Sequence, residues 1–345
     1  MLASDSIMMN LRGAVTEKWN REIVWANTQS RAGAAGNDDL QLQSLPRDLD
    51  AAKVAANTTI RNNLAATLKM ANSFYSKNGV PIDEDKTWDY ENRFDLKVVP
   101  TTGYDNMLIP GYTTVKLNFD REYRYYGSLG FDGNIWFGQG QIQNANLYQV
   151  KIVNGHVSMN PGENHQNTTG MWSKKLVHYR TVVGATSSWT PVIYPFPIIR
   201  MADLYLMYAE ALNESGAGYA AAIPWIDRVR ERSGLKGVEE SWRDYSINPT
   251  KYTTVAGLRE IIMQERRIEL AFEGHYFWDV RRWKTAAREL SKPITGWNVK
   301  ETRNIAEFYQ ERVLYQNEFS PRDYFWPIAL SELRRNPNML QNYGW

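Results

Sequence analysis

Apolar residues recur every three or four positions along the C-terminal part of this 345-residue chain, starting near Ile199. This spacing places apolar side chains on one face of an α-helix, so it predicts a succession of amphipathic helices. Gly216, Gly234 and Gly274 supply stop signals after the first three of them. The predicted helices cover residues 201–215, 220–233, 254–274 and 276–287. Residues 291–325 are predicted as loop with short helix, and the tail 324–345 as largely extended.

The N-terminal part has a weaker pattern. Residues 1–30 are predicted to be partly helical, with a short extended run over 20–26, and residues 31–47 to form a loop. A helical pattern returns over 48–77 and meets a stop signal at Asn78-Gly79.

Between these two helical parts the amino-acid composition changes. Glycine, asparagine, tyrosine and tryptophan are frequent from 79 to 198, which predicts long loops and short strands, for example over 147–153 and 176–180. A long irregular region inside one domain is typical of functional loops. We therefore expect one continuous domain with three parts: a helical scaffold (1–78), a loop-rich ligand-binding region (79–198) and a C-terminal helical region (199–345).

Composition excludes several classes of chemistry. The 40 basic and 38 acidic side chains leave a net charge of only +2, which gives no reason to expect a nucleic-acid partner. Cysteine is absent, so thiol catalysis and cysteine-ligated metals are excluded. The four histidines lack metal-ligand spacing, and neither a nucleophile elbow nor a phosphate-binding glycine loop occurs. We expect no metal site, no cofactor and no catalytic residue.

Aromatic residues make up 13% of the chain, and many lie in the glycine-rich central region. A ring on a surface loop can pack against the C–H face of a sugar, while neighbouring amides bind its hydroxyls. Taken singly, a ring of this kind is more often an anchor for local packing. We nevertheless expect at least two of a set of six to share an exposed, glycan-binding surface: Trp88, Tyr90, Trp136, Phe137, Trp172 and Trp189.

Four ordered segments of the chain carry a recognisable pattern, at 200–213, 226–235, 265–274 and 326–345. Together they resemble the SusD/RagB family of outer-membrane nutrient-binding proteins. The first holds Ala209-Glu-Ala-Leu-Asn213 after Arg200, and the second is the basic turn 226–235. The third contains Glu265-Arg-Arg-Ile-Glu-Leu-Ala-Phe-Glu-Gly274, and the fourth is the C-terminal run 326–345. The resemblance is close over 195–345, looser over 70–195 and weak before residue 70. Family members are longer and begin with a lipoprotein signal and a cysteine, so we expect this chain to be a C-terminal portion or to start at an internal Met.

The resemblance implies a fold and a function. It implies a mainly α fold, in which a SusD-like, tetratricopeptide-like helical scaffold carries long irregular loops and a few short strands. It also implies a non-catalytic protein at the outer-membrane surface that captures polysaccharide or oligosaccharide for a TonB-dependent transporter of the SusC type. Two alternatives remain open: a peptide-binding RagB-type uptake protein, and a glycoside hydrolase that uses two of the carboxylates.

Carboxylates and arginines crowd the third segment. Because residues four apart share one face of a helix, Glu265, Glu269 and Glu273 form an acidic stripe. An acid/base pair would need two carboxyl groups in a cleft with pKa values pushed apart. The simpler interpretation is a structural salt-bridge network across a helix corner, with these members: Glu265, Arg266, Glu269, Glu273, Asp279, Arg281 and Arg282.

Overall fold

The computed structural model of the protein describes residues 3–32, 39–47, 60–140, 143, 147–153, 167–184 and 188–345. These residues form twelve α-helices: α1 (Ala3–Thr16), α2 (Leu40–Ser44), α3 (Leu68–Ser73), α4 (Tyr123–Ser128), α5 (Met201–Glu214), α6 (Tyr219–Arg232), α7 (Val238–Tyr245), α8 (Val255–Glu269), α9 (His275–Arg282), α10 (Ala286–Leu290), α11 (Ile305–Phe308) and α12 (Leu330–Arg335). None of the helices in these ranges is long and apolar enough to cross a membrane.

The strands are short and pair two by two. The described residues contain β1 (Ile23–Ala32), β2 (Leu96–Val98), β3 (Thr113–Val115), β4 (Gly130–Phe131), β5 (Ile135–Trp136), β6 (Tyr148–Gln149), β7 (Met171–Trp172), β8 (Val182–Val183), β9 (Trp189–Thr190), β10 (Tyr194–Arg200), β11 (Ile294–Trp297) and β12 (Glu311–Tyr315). The antiparallel pairs are β1–β10, β2–β3, β4–β7, β5–β6, β8–β9 and β11–β12.

The longest pair ties the N-terminal part of the chain to the C-terminal helices. Strand β1 lies antiparallel to β10, with Ile23 opposite Arg200 and Asn27 opposite Phe196, and the register shifts between them. Pro195 and Pro197 fit in β10 because both strands of a two-stranded sheet are edge strands. Arg200 ends β10 and is the N-cap residue of α5, so the sheet sets where the C-terminal helices begin.

Helices α5, α6 and α8 pack together, although Leu204 and Tyr208 of the apolar stripe expected for α5 are exposed. The buried residues of α5 include Ala202, Leu206 and Ala209, which follow helical spacing. Helix α8 starts where predicted because the side chain of Thr254 accepts a hydrogen bond from the amide of Gly257. Together with the short strands and long loops, these helices confirm the expected mainly α scaffold.

Several local predictions are wrong. The helix expected over 48–77 is limited to α3 in its described part, and residues 48–59 lie outside the described residues. The expected fourth C-terminal helix divides into α9 and α10, because Lys284 has a left-handed backbone (φ 58°). No strand forms over 176–180, where the chain instead begins with a 3-10 turn (Lys174–Leu176). The hairpin β11–β12, helix α7 and helix α12 are additional elements.

One large apolar cluster runs through the structure, from Met8 in α1 to Tyr309 just after α11. It contains residues from each of the three expected parts, 1–78, 79–198 and 199–345. The division itself stays a prediction.

Candidate functional site

Two of the six candidate rings are core residues. The side chains of Trp136 and Trp172 are fully buried, in strands β5 and β7. The indole N–H of Trp136 donates to Oε1 of Gln139, and that of Trp172 donates to Oδ1 of Asn62. Rings that are buried and hydrogen-bonded inside the protein cannot stack on a sugar at its surface. The prediction of an exposed position is therefore wrong for these two residues, since cross-strand packing took them inside.

The other four candidate rings are half-buried and lie in different surroundings. Trp88 donates its indole N–H to the carbonyl of Phe119 at 3.3 Å. Phe137 packs beside Tyr179, with ring centroids 6.3 Å apart, and Trp189 pairs with Val183 across β8–β9. Of the six candidates, Tyr90 is the one that lines a sizeable cleft.

This cleft, which we call the α8 cleft, has a volume of about 380 Å³. Residues of α8 line it, together with the loop 81–84, Tyr90, Lys251 and the chain from Trp283 to Lys292. Tyr90 and Trp283 contribute half-buried rings, and the ring of Trp242 lies beneath the surface. Neither Trp242 nor Trp283 was identified from the sequence as a candidate site residue. They lie outside the loop-rich region, at helical positions where an aromatic residue ordinarily indicates core.

Three buried polar atoms at the α8 cleft have no hydrogen-bond partner among the described residues. They are Oδ1 of Asn72, Nε of Arg267 and the indole Nε1 of Trp242. A buried polar group without a partner costs about 1–3 kcal/mol. Nine further atoms of this kind in the described part of the chain do not line the cleft, so unsatisfied atoms alone do not distinguish this site.

The acidic sequence Asp83-Glu84-Asp85 lies at one side of the cleft, and two of its three carboxylates are already engaged. Asp85 is buried, and its carboxylate accepts hydrogen bonds from the side chains of Ser76, Asn78 and Thr87. Glu84 forms an ion pair with Lys251. No group of three potential metal-ligating side chains occurs in the described part of the chain, and His156 and His165 lie outside it.

The acidic stripe of the sequence is buried and paired. Glu265 of α8 contacts Arg124 and lies 3.2 Å from Arg230. Glu269 contacts Arg232 and lies 3.1 Å from Arg200. Although burial alone would raise the pKa of Glu269, the positive charges of Arg232 and Arg200 hold that pKa well below its usual range.

The stripe continues beyond the end of α8. Glu273 lies 2.6 Å from Arg200 and 2.7 Å from Lys175, and both cations lower the pKa of its buried carboxyl group against the effect of burial. We call the following set the ion-pair network: Arg124, Lys175, Arg200, Arg230, Arg232, Glu265, Glu269 and Glu273.

A second group of ion pairs joins α8 to α5 and α9. Arg266 lies 2.7 Å from Asp203 and 3.0 Å from Asp279. Arg282 binds Asp279, at 3.0 Å, and Glu210. Arg281 differs from the other six residues of the predicted set. It stacks over the ring of Phe277 at 3.6 Å and forms no ion pair within the described ranges.

Sequence reasoning found the carboxylates of the ion-pair network and missed their partners. Arg124 lies 141 residues before Glu265 along the chain, and Lys175 lies 98 residues before Glu273. A weak signal existed, since Arg200 and the basic turn 226–235 belong to two of the other segments that resemble the family.

The fold and the site together define a class. This is a mainly helical scaffold, held by buried ion pairs, with an open cleft lined by aromatic, amide and charged side chains. The SusD family model matches residues 21–345. The chain therefore belongs to the SusD family.

Individual relatives agree with this assignment. SusD-like protein P2 of Formosa agariphila is 34% identical over 144 residues, which are 42% of this chain and 24% of that protein. SusD-like protein P25 of the same organism is 41% identical over 146 residues, covering 42% and 23% of the two chains.

Solved structures share the fold at lower identity. BT4246 aligns with a TM-score of 0.76 and 24% identity, over 98% of this chain and 53% of its own. A SusD-like protein from Bacteroides fragilis aligns with a TM-score of 0.69 and 21% identity, over 100% of this chain and 59% of its own. The chain thus spans little more than half the length of these solved relatives.

Proposed function

We propose that the protein is a non-catalytic, surface-exposed glycan-binding protein that holds oligosaccharide in the α8 cleft and passes it to a TonB-dependent transporter of the SusC type. Membership of the SusD family supports this role and its place at the outer membrane. The observation that carries the proposal is the cleft itself, with the rings of Tyr90 and Trp283 beside amide and charged side chains.

These features match the chemistry of a saccharide. An aromatic ring gives apolar contact to the C–H face of a sugar. Sugar hydroxyls both donate and accept hydrogen bonds, so they suit the amide and charged side chains that line the cleft, such as Asn72, Gln264 and Arg267. Because each contact is weak, several sugar rings bound together should bind better than a monosaccharide.

The carboxylates of the cleft favour binding over hydrolysis. A glycoside hydrolase needs a general acid whose pKa is raised, together with a second carboxylate. Glu84 and Glu260 both pair with Lys251. Burial alone would raise the pKa of Glu289, but the charges of Arg267, Lys69 and Lys292 lower it to about 2. Glu289 is therefore held in its ionised form, which is the wrong form for a general acid.

The test is a binding screen of the whole chain against immobilised polysaccharides and a peptide mixture, with affinities then measured by calorimetry. Tyr90→Ala and Trp283→Ala should each weaken glycan binding about two- to tenfold, the usual effect of one aromatic contact. Trp19→Ala is the matched control, because Trp19 is 60% exposed and does not line the cleft.

Three results would overturn the proposal. Retention of peptides in place of glycans would favour a RagB-type role. A rise in reducing ends during incubation would show hydrolysis. A loss of affinity in Trp19→Ala equal to that in Tyr90→Ala and Trp283→Ala would show that the cleft is not the binding site.

A further inference from the structure

One end of the α8 cleft gathers four cations around a single carboxylate. Lys69 and Arg288 lie 3.1 Å from the carboxylate oxygens of Glu289, and Arg267 and Lys292 lie 3.3 Å from them. One carboxylate balances one of four positive charges, so this end, the basic end, carries an excess of three. Burial lowers the pKa of Lys69, and the neighbouring cations add to that effect even against the attraction of Glu289.

The opposite end has the reverse charge. There Asp83, Glu84 and Glu260 line the cleft with Lys251 as their cation, which pairs with the two glutamates. Glu260 and Arg267 are seven residues apart on α8, so the two ends are separated by about 10 Å along the helix. The cleft is therefore polarised along its length, although its total charge is close to balance.

The basic end is accessible to a ligand. The side chains of Arg288 and Lys292 are 70% and 52% exposed, whereas Glu289 is nearly buried beneath them. Surplus guanidinium and ammonium groups favour an anion with several oxygens, such as a carboxylate or a sulfate ester.

We infer that the α8 cleft is specific for an acidic saccharide, whose carboxylate or sulfate binds at the basic end among Lys69, Arg267, Arg288 and Lys292. The inference rests on the proposed glycan-binding function and adds the substrate class. The acidic end disfavours a second anionic group, so the adjoining sugar should be neutral where it reaches Glu84 and Glu260.

The test compares matched probes on the whole chain by calorimetry. Tetragalacturonate supplies carboxylates, its fully methyl-esterified form is the neutral match, and a sulfated carrageenan tetrasaccharide supplies sulfate esters. The acidic probes should bind more tightly than the neutral ester, and raising NaCl from about 50 to about 500 mM should weaken only the acidic probes.

Variants assign the effect to the basic end. The double variant Arg288→Gln/Lys292→Gln should weaken binding of the preferred acidic probe about 2- to 30-fold, from two partly solvated charge pairs. Arg335→Gln removes a charge of similar exposure outside the cleft and should leave affinity unchanged.

The outcomes separate this inference from the proposed function. Equal binding of tetragalacturonate and its methyl ester, with loss in Tyr90→Ala, would overturn the acidic specificity and leave glycan binding in place. Failure of every acidic and neutral saccharide to bind would overturn both. A preference for one acidic probe identifies carboxylate or sulfate as the anion. Equal losses in the double variant and in Arg335→Gln would remove the basic end as the cause.

Discussion

Glu269 offers the most direct experimental test of the ion-pair network. Its carboxylate faces Arg124 at 3.5 Å, Arg200 at 3.1 Å and Arg232 in closer contact, and Arg124 and Arg200 are buried. Glu269→Gln keeps the shape of the side chain and removes its charge. We expect the variant to lose stability, because three guanidinium groups then share one fewer carboxylate.

The magnitude follows from the burial of the pairs. Removing one partner of a buried ion pair costs about 3–5 kcal/mol, because the other charge is left uncompensated. Glu265 and Glu273 still pair with Arg124 and Arg200 in the variant, so the lower end of that range is expected. A loss of about 3 kcal/mol is a large part of the roughly 5–15 kcal/mol that stabilises a typical protein.

The assay is urea unfolding followed by far-ultraviolet circular dichroism, with Glu332→Gln as the control. Glu332 pairs with Arg335 at 3.1 Å, but its side chain is 47% exposed, so its loss should cost less than about 1 kcal/mol. If the urea midpoints of Glu269→Gln and Glu332→Gln are shifted from the native midpoint by the same small amount, the reasoning is refuted.

The same variant tests the pKa of Glu269. Because the folded-state pKa is lowered, its stabilising contribution is complete above the unfolded value of about 4.3 and is lost as pH falls towards the folded pKa. The native chain should therefore lose more stability than Glu269→Gln on acidification below about pH 5. Parallel acid profiles of the two proteins would contradict this linkage.

Two further predictions concern the core and the backbone. Trp136→Phe should lower the free energy of unfolding by about 1–3 kcal/mol, because Oε1 of Gln139 loses the buried indole donor. Glycan affinity should stay unchanged. A folded variant that no longer binds glycan would show that Trp136 is a site residue after all. Gly138→Ala should lower the free energy of unfolding by about 1–3 kcal/mol more than Gly103→Ala does. Both glycines have positive φ, but only at Gly138 would a Cβ overlap the carbonyl oxygen of Tyr179. Equal losses of stability in the two variants would show that the positive φ alone, and not the overlap with Tyr179, causes the loss.

Local signals in the sequence predicted the C-terminal helices well. Helix α8 has an apolar stripe and a capping threonine, Thr254, and its start lies within a residue of the prediction. The boundary between α9 and α10 could not be predicted. It depends on the left-handed conformation of Lys284, a residue type that carries no signal for such a turn.

The candidate site was harder to predict for a physical reason. Whether a ring packs inside or faces a ligand depends on contacts between distant segments, such as the pairing of Gly130 with Trp172 across β4–β7. The cleft residues Tyr90, Trp242 and Trp283 are separated by more than 40 residues from one another, and composition identified one of them. The basic end could not be predicted either, because Lys69 and Arg288 are distant in sequence and come together around Glu289 only in the folded chain.

The ion-pair network and the α8 cleft occupy different faces of one helix. Glu265 and Glu269 each lie two residues from Arg267, which corresponds to a rotation of about 200° around the helix axis. Glu260, Gln264 and Arg267 line the cleft. Buried charges are weak evidence for stability in themselves, but hydrogen-bonded charge pairs fix one arrangement of the elements that carry them. Since the network holds α8 against α4, β10 and α6, it also fixes the rotation of the helix that presents the cleft. A loosened network should therefore cost ligand affinity as well as stability, even though none of its residues lines the cleft.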